Sequence, residues 1–420
     1  EMAGQRNGAI GAAKRAGELV QADSEDVLLV NNILANFGLF NDSLNLLART
    51  APASKNPDLL QFYCQRLFEV GNTPEVLKLT GEEQPSVMSS GLLAVRGMAA
   101  GREGNKALLE EVVGELKGRS EDTQADAWAP VLEVVWLRDN ASPKEVMDVC
   151  AAALGKDQAN PYFHYFVGLA HERLGERDNA LASLQNAIKM SPAWIDPILR
   201  SATLFAASGG HGEALTLVDA AMKRAPGNVG VKAAGAEIIG TITDGLTEDN
   251  RAILLKLCEE VQSVQAAEPR TLPILIHLRA LQGDNAAAAE LVQSALQGEA
   301  KLPESTLLKL AQLSDQYGLG LSEACFAKLN STSGGMTPGL AYAQAVSRLR
   351  SGDPEGARAF LTDAASKTPD DLRWQTAMAQ FLDLTGSKDA LDLWVAIAEK
   401  APDDAGLLRT ILDSRAAWND

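Results

Sequence analysis

Several residue types and patterns are scarce in this chain of 420 residues. Aromatic residues make up only 5%, and runs typical of β-strands are nearly absent. No apolar run approaches the ~18 residues of a membrane-spanning helix, so we expect none of these residues to cross a membrane. The few cysteines lie far apart and form no C-x-x-C pair, which argues against a zinc knuckle or a redox dithiol. We expect each to be a small apolar residue within a helix: Cys64, Cys150, Cys258 and Cys325.

Basic residues are outnumbered by acidic ones. The chain has 38 Lys and Arg against 55 Asp and Glu, a net charge of -17 and a pI near 4.8. Affinity for a phosphate backbone comes largely from Lys and Arg that release counterions, so this balance opposes a nucleic-acid ligand. It also disfavours docking on anionic lipid. The acidity serves either to solvate outer faces or to attract basic partners, and the sequence leaves both interpretations open.

What the chain does contain is one pattern that occurs twice, about 34 residues apart. The first copy consists of Gly168, Gly175, Ala180, Ala187 and Pro192, and the second of Ala202, Gly209, Ala214, Ala221 and Pro226. This period is typical of a helical repeat, in which each unit is a pair of antiparallel helices. One pair cannot bury its own apolar face, so stacked neighbours must supply the core.

The unit at 161–194 carries the clearest helix signals. Pro161 is favoured in the first turn of a helix, and Gly175 accepts the left-handed conformation that ends one. The second helix has an apolar stripe with three-four spacing, formed by Ala180, Leu181, Leu184, Ala187 and Ile188. Gly168 lies within the first helix, where it costs about 1 kcal/mol relative to Ala. We therefore expect close contact with the partner helix at this position.

The order and spacing of Gly168, Gly175, Ala180, Leu184, Ala187 and Pro192 resemble the tetratricopeptide repeat (TPR). The unit at 195–228 matches as well. A third matching region contains Ala345, Gly352, Ala357, Leu361, Ala364, Pro369, Ala379, Gly386, Ala390, Trp394 and Pro402. The match is degenerate in the first 120 residues, where Gly38, Gly71 and Gly97 suggest further pairs. The resemblance implies an all-α, right-handed α-solenoid superhelix of about eleven stacked, antiparallel, TPR-like helix pairs.

We expect three segments along the chain. Degenerate repeats occupy 1–160, TPR repeats with an irregular longer repeat at 229–270 occupy 161–330, and C-terminal repeats ending in a capping helix occupy 338–420. The polar stretch 331–338 is either a flexible link or an inter-repeat loop. Residues 9–23 match the second helix of a repeat without its first, so we expect the chain to begin within a longer protein.

The search for chemistry finds no phosphate loop, nucleophile elbow or H-E-x-x-H helix. His164 and His171 share a helix face but are about 10 Å apart along the axis, too far to ligate one ion without another element. We predict no catalytic, cofactor-binding or metal-binding residue, and no cofactor.

In TPR proteins the first helix of each pair lines a concave groove, and the resemblance assigns partner contacts on this basis. The predicted residues are Tyr162, Tyr165, Leu169, Arg173, Leu199, Arg200, Thr203, Tyr342 and Arg350. A second interpretation is that several of the tyrosines pack between repeats. The Lys and Asn residues with which some TPR proteins clamp a peptide carboxylate are absent from the corresponding positions. An apolar, aromatic groove favours an extended or helical peptide held by side-chain pockets.

The predicted function is therefore a non-enzymatic scaffold that binds a peptide or protein partner. The alternative is a regulatory or targeting repeat region of a larger enzyme, or of an envelope or secretion complex. Partner identity, oligomeric state and compartment stay open, the last among cytoplasm, periplasm and envelope.

Overall fold

A computed structural model describes residues 2–412 apart from 22–24, 55, 82, 120, 156–159, 243–245, 299–300, 333–334, 369–370, 402–405, 407 and 410. Within these residues there are 23 α-helices and no β-strand. One helix is followed by eleven consecutive pairs, the number that the repeat pattern predicts. The expected C-terminal capping helix, together with Pro369 and Pro402, falls mostly outside the described residues.

The chain forms two compact units, Glu1–Leu257 (unit 1) and Cys258–Asp420 (unit 2). The division lies inside the predicted irregular repeat at 229–270, rather than at 160 or near 331–338. The three-segment organisation and the right-handed superhelix therefore stay predictions. The all-α repeat fold is confirmed.

The helices of unit 1 begin with α1 (Met2–Leu19). The pairs that follow are α2 (Val27–Asn36) with α3 (Phe40–Thr50), α4 (Pro57–Glu69) with α5 (Thr73–Thr80), α6 (Ser90–Arg102) with α7 (Lys106–Gly118), α8 (Thr123–Asn140) with α9 (Pro143–Leu154), α10 (Pro161–Arg173) with α11 (Arg177–Met190), and α12 (Ile195–Ala207) with α13 (His211–Arg224). Next come α14 (Val229–Gly240) and α15 (Glu248–Val264), and α15 contains the division between the units.

Unit 2 continues with four more pairs. They are α16 (Leu272–Leu281) with α17 (Asn285–Gln297), α18 (Glu304–Gln316) with α19 (Ser322–Thr332), α20 (Pro338–Arg350) with α21 (Pro354–Ser366), and α22 (Leu372–Leu384) with α23 (Asp389–Lys400). The first two residues of stretch 331–338 thus belong to α19, and α20 begins at its last residue.

The turn within a pair depends on a glycine in the left-handed conformation. Gly175 has φ of 76°, which a side chain at this position would strain. The turn closes with a hydrogen bond of 2.9 Å from the Glu176 backbone N–H to the His171 carbonyl, so the end of α10 is satisfied. Among the described residues, nine of the eleven pairs have such a glycine between their helices: Gly38, Gly71, Gly104, Gly175, Gly209, Gly283, Gly318, Gly352 and Gly386.

The interior of a pair depends on close approach of its two helices. A Cβ added at Gly168 would lie 2.9 Å from Leu184 Cγ and 3.3 Å from the Ala180 carbonyl oxygen. Ala180 and Leu184 are fully buried. The close contact expected from the cost of a mid-helix glycine is therefore confirmed. Gly97 has the same role inside α6, and the turn of that pair lies at Gly104.

All four cysteines are buried within helices, as predicted, and all four are free thiols. Burial raises the pKa of each thiol to about 12, with Cys150 the simplest case because burial is its only cause. The thiolate is the nucleophilic form, and at neutral pH almost none is present.

Leu184→Asp is expected to lower the free energy of unfolding by more than about 3 kcal/mol, because it buries a carboxylate without a partner. Circular dichroism during thermal unfolding measures this, with the exposed neighbour Gln185→Asp as the control. An unchanged melting temperature for Leu184→Asp would contradict the packing described above.

The native chain is expected to resist thiol-specific reagents at pH 8, and to react at all four cysteines once unfolded in guanidinium chloride. Absorbance of the released thiol reporter gives the number of reactive groups. Rapid reaction of any cysteine in the native chain would show that its helix is less buried than described.

Candidate partner-binding surfaces

Tyr162, predicted to contact a partner, lies in the interior of unit 1. It is 4% exposed, and burial raises the pKa of its hydroxyl well above the usual range. Its ring centroid lies 4.8 Å from that of Trp194, 5.4 Å from that of Trp128 and 6.4 Å from that of Phe68. In this conformation Tyr162 is out of reach of a partner. The second interpretation of the tyrosines, packing between repeats, describes this residue.

Tyr165 is partly buried beside the same cluster. Its ring centroid lies 4.7 Å from that of Trp194, and burial raises the pKa of its hydroxyl. It lines a cavity of about 190 Å³ whose polar wall contains Arg102, Arg138 and Asp196. Asp196 accepts hydrogen bonds from Arg102 Nη1 at 2.7 Å and from Trp194 Nε1 at 3.1 Å. Tyr165 therefore faces groups of its own chain.

The two predicted arginines of unit 1 connect consecutive first helices. Arg173 donates to the carbonyls of Arg138 at 2.8 Å and Ala141 at 3.1 Å, which satisfies backbone oxygens at the end of α8. Arg200 Nε donates to Glu172 at 2.5 Å, and both arginines keep an exposed surface. They form the accessible edge of the predicted surface.

The other predicted residues of unit 1 are only partly exposed. The Thr203 hydroxyl donates to the Leu199 carbonyl at 3.0 Å, so its polar group is already satisfied within α12. Leu169 and Leu199 pack against buried clusters and expose part of their side chains.

In unit 2 the structure brings Tyr342 to a cavity of about 390 Å³ between α20 and α22. The lining residues are Pro338, Gly339, Tyr342, Leu372, Arg373, Thr376, Ala377, Gln380 and Ala401. All but Ala401 belong to the first helices of their pairs. Arg350 is exposed at the end of α20 and does not line this cavity. Sequence reasoning missed the residues from α22.

Two of the histidines, His171 and His277, make side-chain contacts. His171 Nδ1 lies 2.6 Å from Glu176 Oε2, and this hydrogen bond lowers the pKa of the Glu176 carboxyl. His277 Nδ1 lies 2.7 Å from the Tyr317 hydroxyl. Within the described ranges, no group of His, Cys, Asp and Glu side chains is placed to hold a metal ion. None of the helices described above is long and apolar enough to span a membrane.

The spacing between the turn glycine and a buried alanine of the following helix is the same in several pairs. Five residues after four of the turn glycines stands an alanine that is at most 1% exposed: Ala180, Ala214, Ala288 and Ala357. The described helices are consistent with a TPR-like repeat. The same two features, a left-handed glycine and a buried small residue on the following helix, recur in both units.

Comparison with known proteins finds solved structures of low sequence identity. No protein-family model and no curated protein matches the chain. Among solved structures, a tetratricopeptide repeat protein from Parabacteroides merdae is 15% identical, with 61% of this chain and 98% of that chain covered and a TM-score of 0.43. Yeast Tom70 is 14% identical, with 92% and 94% covered and a TM-score of 0.45. Pseudomonas aeruginosa PilF is 16% identical, with 54% and 99% covered and a TM-score of 0.37.

Tyr162→Ala is expected to lower the free energy of unfolding by about 3–5 kcal/mol, because it empties space among buried rings. Arg200→Ala removes only a partly exposed ion pair and should cost less than about 1 kcal/mol. Urea titration followed by circular dichroism compares the two variants. Equal stability of both would mean that Tyr162 is not part of the core.

Proposed function

We propose that the chain is a non-enzymatic scaffold, and that a peptide or protein partner binds on the side formed by first helices. The observation that supports this is the cavity between α20 and α22. Consecutive first helices here form a recess to which the second helices contribute only Ala401, the C-cap residue of α23. Its volume of about 390 Å³ lies within the range of pockets that enclose a ligand group, about 300–1,000 Å³.

The chemistry of this recess favours an apolar side chain of the partner. Leu372, Ala377 and the ring of Tyr342 supply apolar wall. The Thr376 hydroxyl already donates to the Leu372 carbonyl at 2.8 Å, so its proton needs no acceptor on a ligand. Arg373 is largely exposed at the rim and is paired with Asp371 at 2.7 Å. An apolar anchor with flanking backbone, from an extended or helical segment, would fill such a site.

The exposed edge of unit 1 belongs to the same proposal. Arg173 and Arg200 present guanidinium groups there, and arginine is frequent among the residues that dominate interface energies. Leu169, Leu199 and Thr203 contribute the partly exposed surface between them. Arg350 would act beside the unit 2 recess rather than within it.

Thr376→Trp is expected to fill the recess and weaken partner binding by tenfold or more, equivalent to about 1.4 kcal/mol. The matched control is Thr362→Trp on α21, since Thr362 is exposed and its hydroxyl makes the same kind of bond, to the Arg358 carbonyl at 2.8 Å. Affinity capture from the source cell with all three proteins would find the partner, and calorimetry with the purified partner would measure the loss. If both tryptophan variants bind like the wild type, the recess is not the binding site.

A further inference from the structure

The cavity of about 190 Å³ beside Tyr165 is a cleft with aromatic walls, which we call the aromatic cleft. Four buried rings line it: Phe68, Tyr162, Phe166 and Trp194. The ring of Tyr165 lies next to them, with its centroid 4.7 Å from that of Trp194. One water molecule takes up about 30 Å³ in the liquid, so the cleft has space for one small ring but not for two.

Charged groups complete the lining of the aromatic cleft. Arg102 and Arg138 belong to the last turns of α6 and α8, and Asp196 belongs to the first turn of α12. Burial raises the pKa of the Tyr165 hydroxyl, and the Asp196 carboxylate raises this pKa further. Three guanidinium groups oppose that carboxylate, those of Arg102, Arg200 and Arg138. The Tyr165 hydroxyl therefore lies in the field of three cations and one carboxylate.

One carboxylate of the chain is already held at the aromatic cleft. Asp196 accepts from Arg102 Nη1 at 2.7 Å and from Trp194 Nε1 at 3.1 Å, so groups of the lining donate to an anion. Arg200 is paired with Glu172 at 2.5 Å. Among the groups named here, three guanidinium groups thus face two carboxylates. The net charge of the whole chain is -17, so this excess of positive charge is a local feature of the cleft.

We propose that the aromatic cleft binds a small aryl carboxylate, which is a single aromatic ring that carries one carboxylate group. The ring packs among the aromatic walls, and a rigid ring loses little conformational freedom when it binds. The carboxylate accepts from Arg138 and from the Tyr165 hydroxyl, because hydrogen bonds to a charged group are about twice as strong as those between neutral groups. This inference concerns unit 1 and does not depend on the recess proposed in unit 2.

The probes are 4-fluorobenzoate and 4-fluorobenzamide, which have nearly the same shape and differ in charge. Titration of the full chain at neutral pH, followed by fluorine NMR of the probe, measures both dissociation constants. We expect a constant of about 1 mM or lower for the benzoate, and one at least about tenfold higher for the benzamide. Equal constants, or no binding of the benzoate, overturn the proposal.

Asp196→Asn tests the charges of the cleft through a gain of affinity. Asn keeps an oxygen that accepts from Trp194 Nε1 and Arg102 Nη1, and it removes the negative charge that repels the ligand. The matched control is Asp383→Asn, because Asp383 accepts from Trp394 Nε1 at 2.7 Å in unit 2. We expect 4-fluorobenzoate to bind Asp196→Asn about tenfold more tightly and Asp383→Asn like the wild type. Affinity that does not rise in Asp196→Asn contradicts the proposal.

Arg138→Gln removes a cation from the cleft and is expected to weaken binding of 4-fluorobenzoate about tenfold. The control is Arg358→Gln, which removes a partly exposed guanidinium group that is paired with Asp389 at 2.7 Å in unit 2. Circular dichroism shows whether both variants fold. Unchanged affinity in a folded Arg138→Gln rejects the proposal. If Arg138→Gln loses helix, Asp196→Asn decides, because unfolding cannot raise an affinity.

An acidic side chain of a peptide could present a carboxylate to the same cleft, and a third probe separates it from a free aryl acid. N-acetylglutamic acid N-methylamide is titrated in competition with 4-fluorobenzoate. We expect it to bind at least about tenfold more weakly, because its flexible chain must be ordered and leaves the aromatic walls uncovered. Binding as tight as that of the benzoate, or tighter, would show that the cleft is not a site for an aryl acid.

Discussion

The close contact between the two helices of a pair is the constraint on which the rest of the structure depends. It requires a residue without a large side chain at the crossing, and Gly168 against Ala180 and Leu184 shows how little space is left. A pair built this way brings its two helices close together. Its remaining apolar surface must be covered by the next pair, so the fold grows along the chain by addition of pairs.

Aromatic residues are few in this chain, and in unit 1 several of them lie close together. Phe68, Trp128, Tyr162, Tyr165 and Trp194 form a connected set of ring contacts where pairs that are distant in sequence meet. Large rings suit this position because they span gaps that small residues leave open. Tyr162, Tyr165 and Trp194 also line a cleft of about 190 Å³.

The local features of the fold could be predicted from the sequence because each has a local physical cause. Gly175 and Gly168 indicated a turn and a crossing within one pair, and both are found in the structure. The number of pairs followed from the same period. By contrast, the contact between the end of α4 and the start of α14 joins Val70 and Asn228, 158 positions apart. Its existence depends on the sum of small rotations between pairs, which no single repeat reveals.

The candidate site shows the same limit. The repeat pattern predicts which residues lie on a first helix. It does not predict how exposed their side chains are, because exposure depends on which distant pair covers them. Tyr342 lines an open recess, whereas Tyr162 at an early position of its own first helix is buried. The contribution of α22 to that recess, through Thr376 and Ala377, likewise required the packing of two pairs to be known.

The central claim is that unit 1 brings its N-terminal pairs against α10 and α12. Nuclear Overhauser spectroscopy on a chain with selectively protonated Phe and Trp tests this most directly, since the ring centroids of Phe68 and Trp194 lie 6.4 Å apart. The account predicts a cross-peak between these two rings that disappears in Phe68→Leu. The control is the cross-peak between Tyr165 and Trp194, measured in a chain that also has protonated Tyr. If the control cross-peak is present and the one between Phe68 and Trp194 is absent, the account is contradicted.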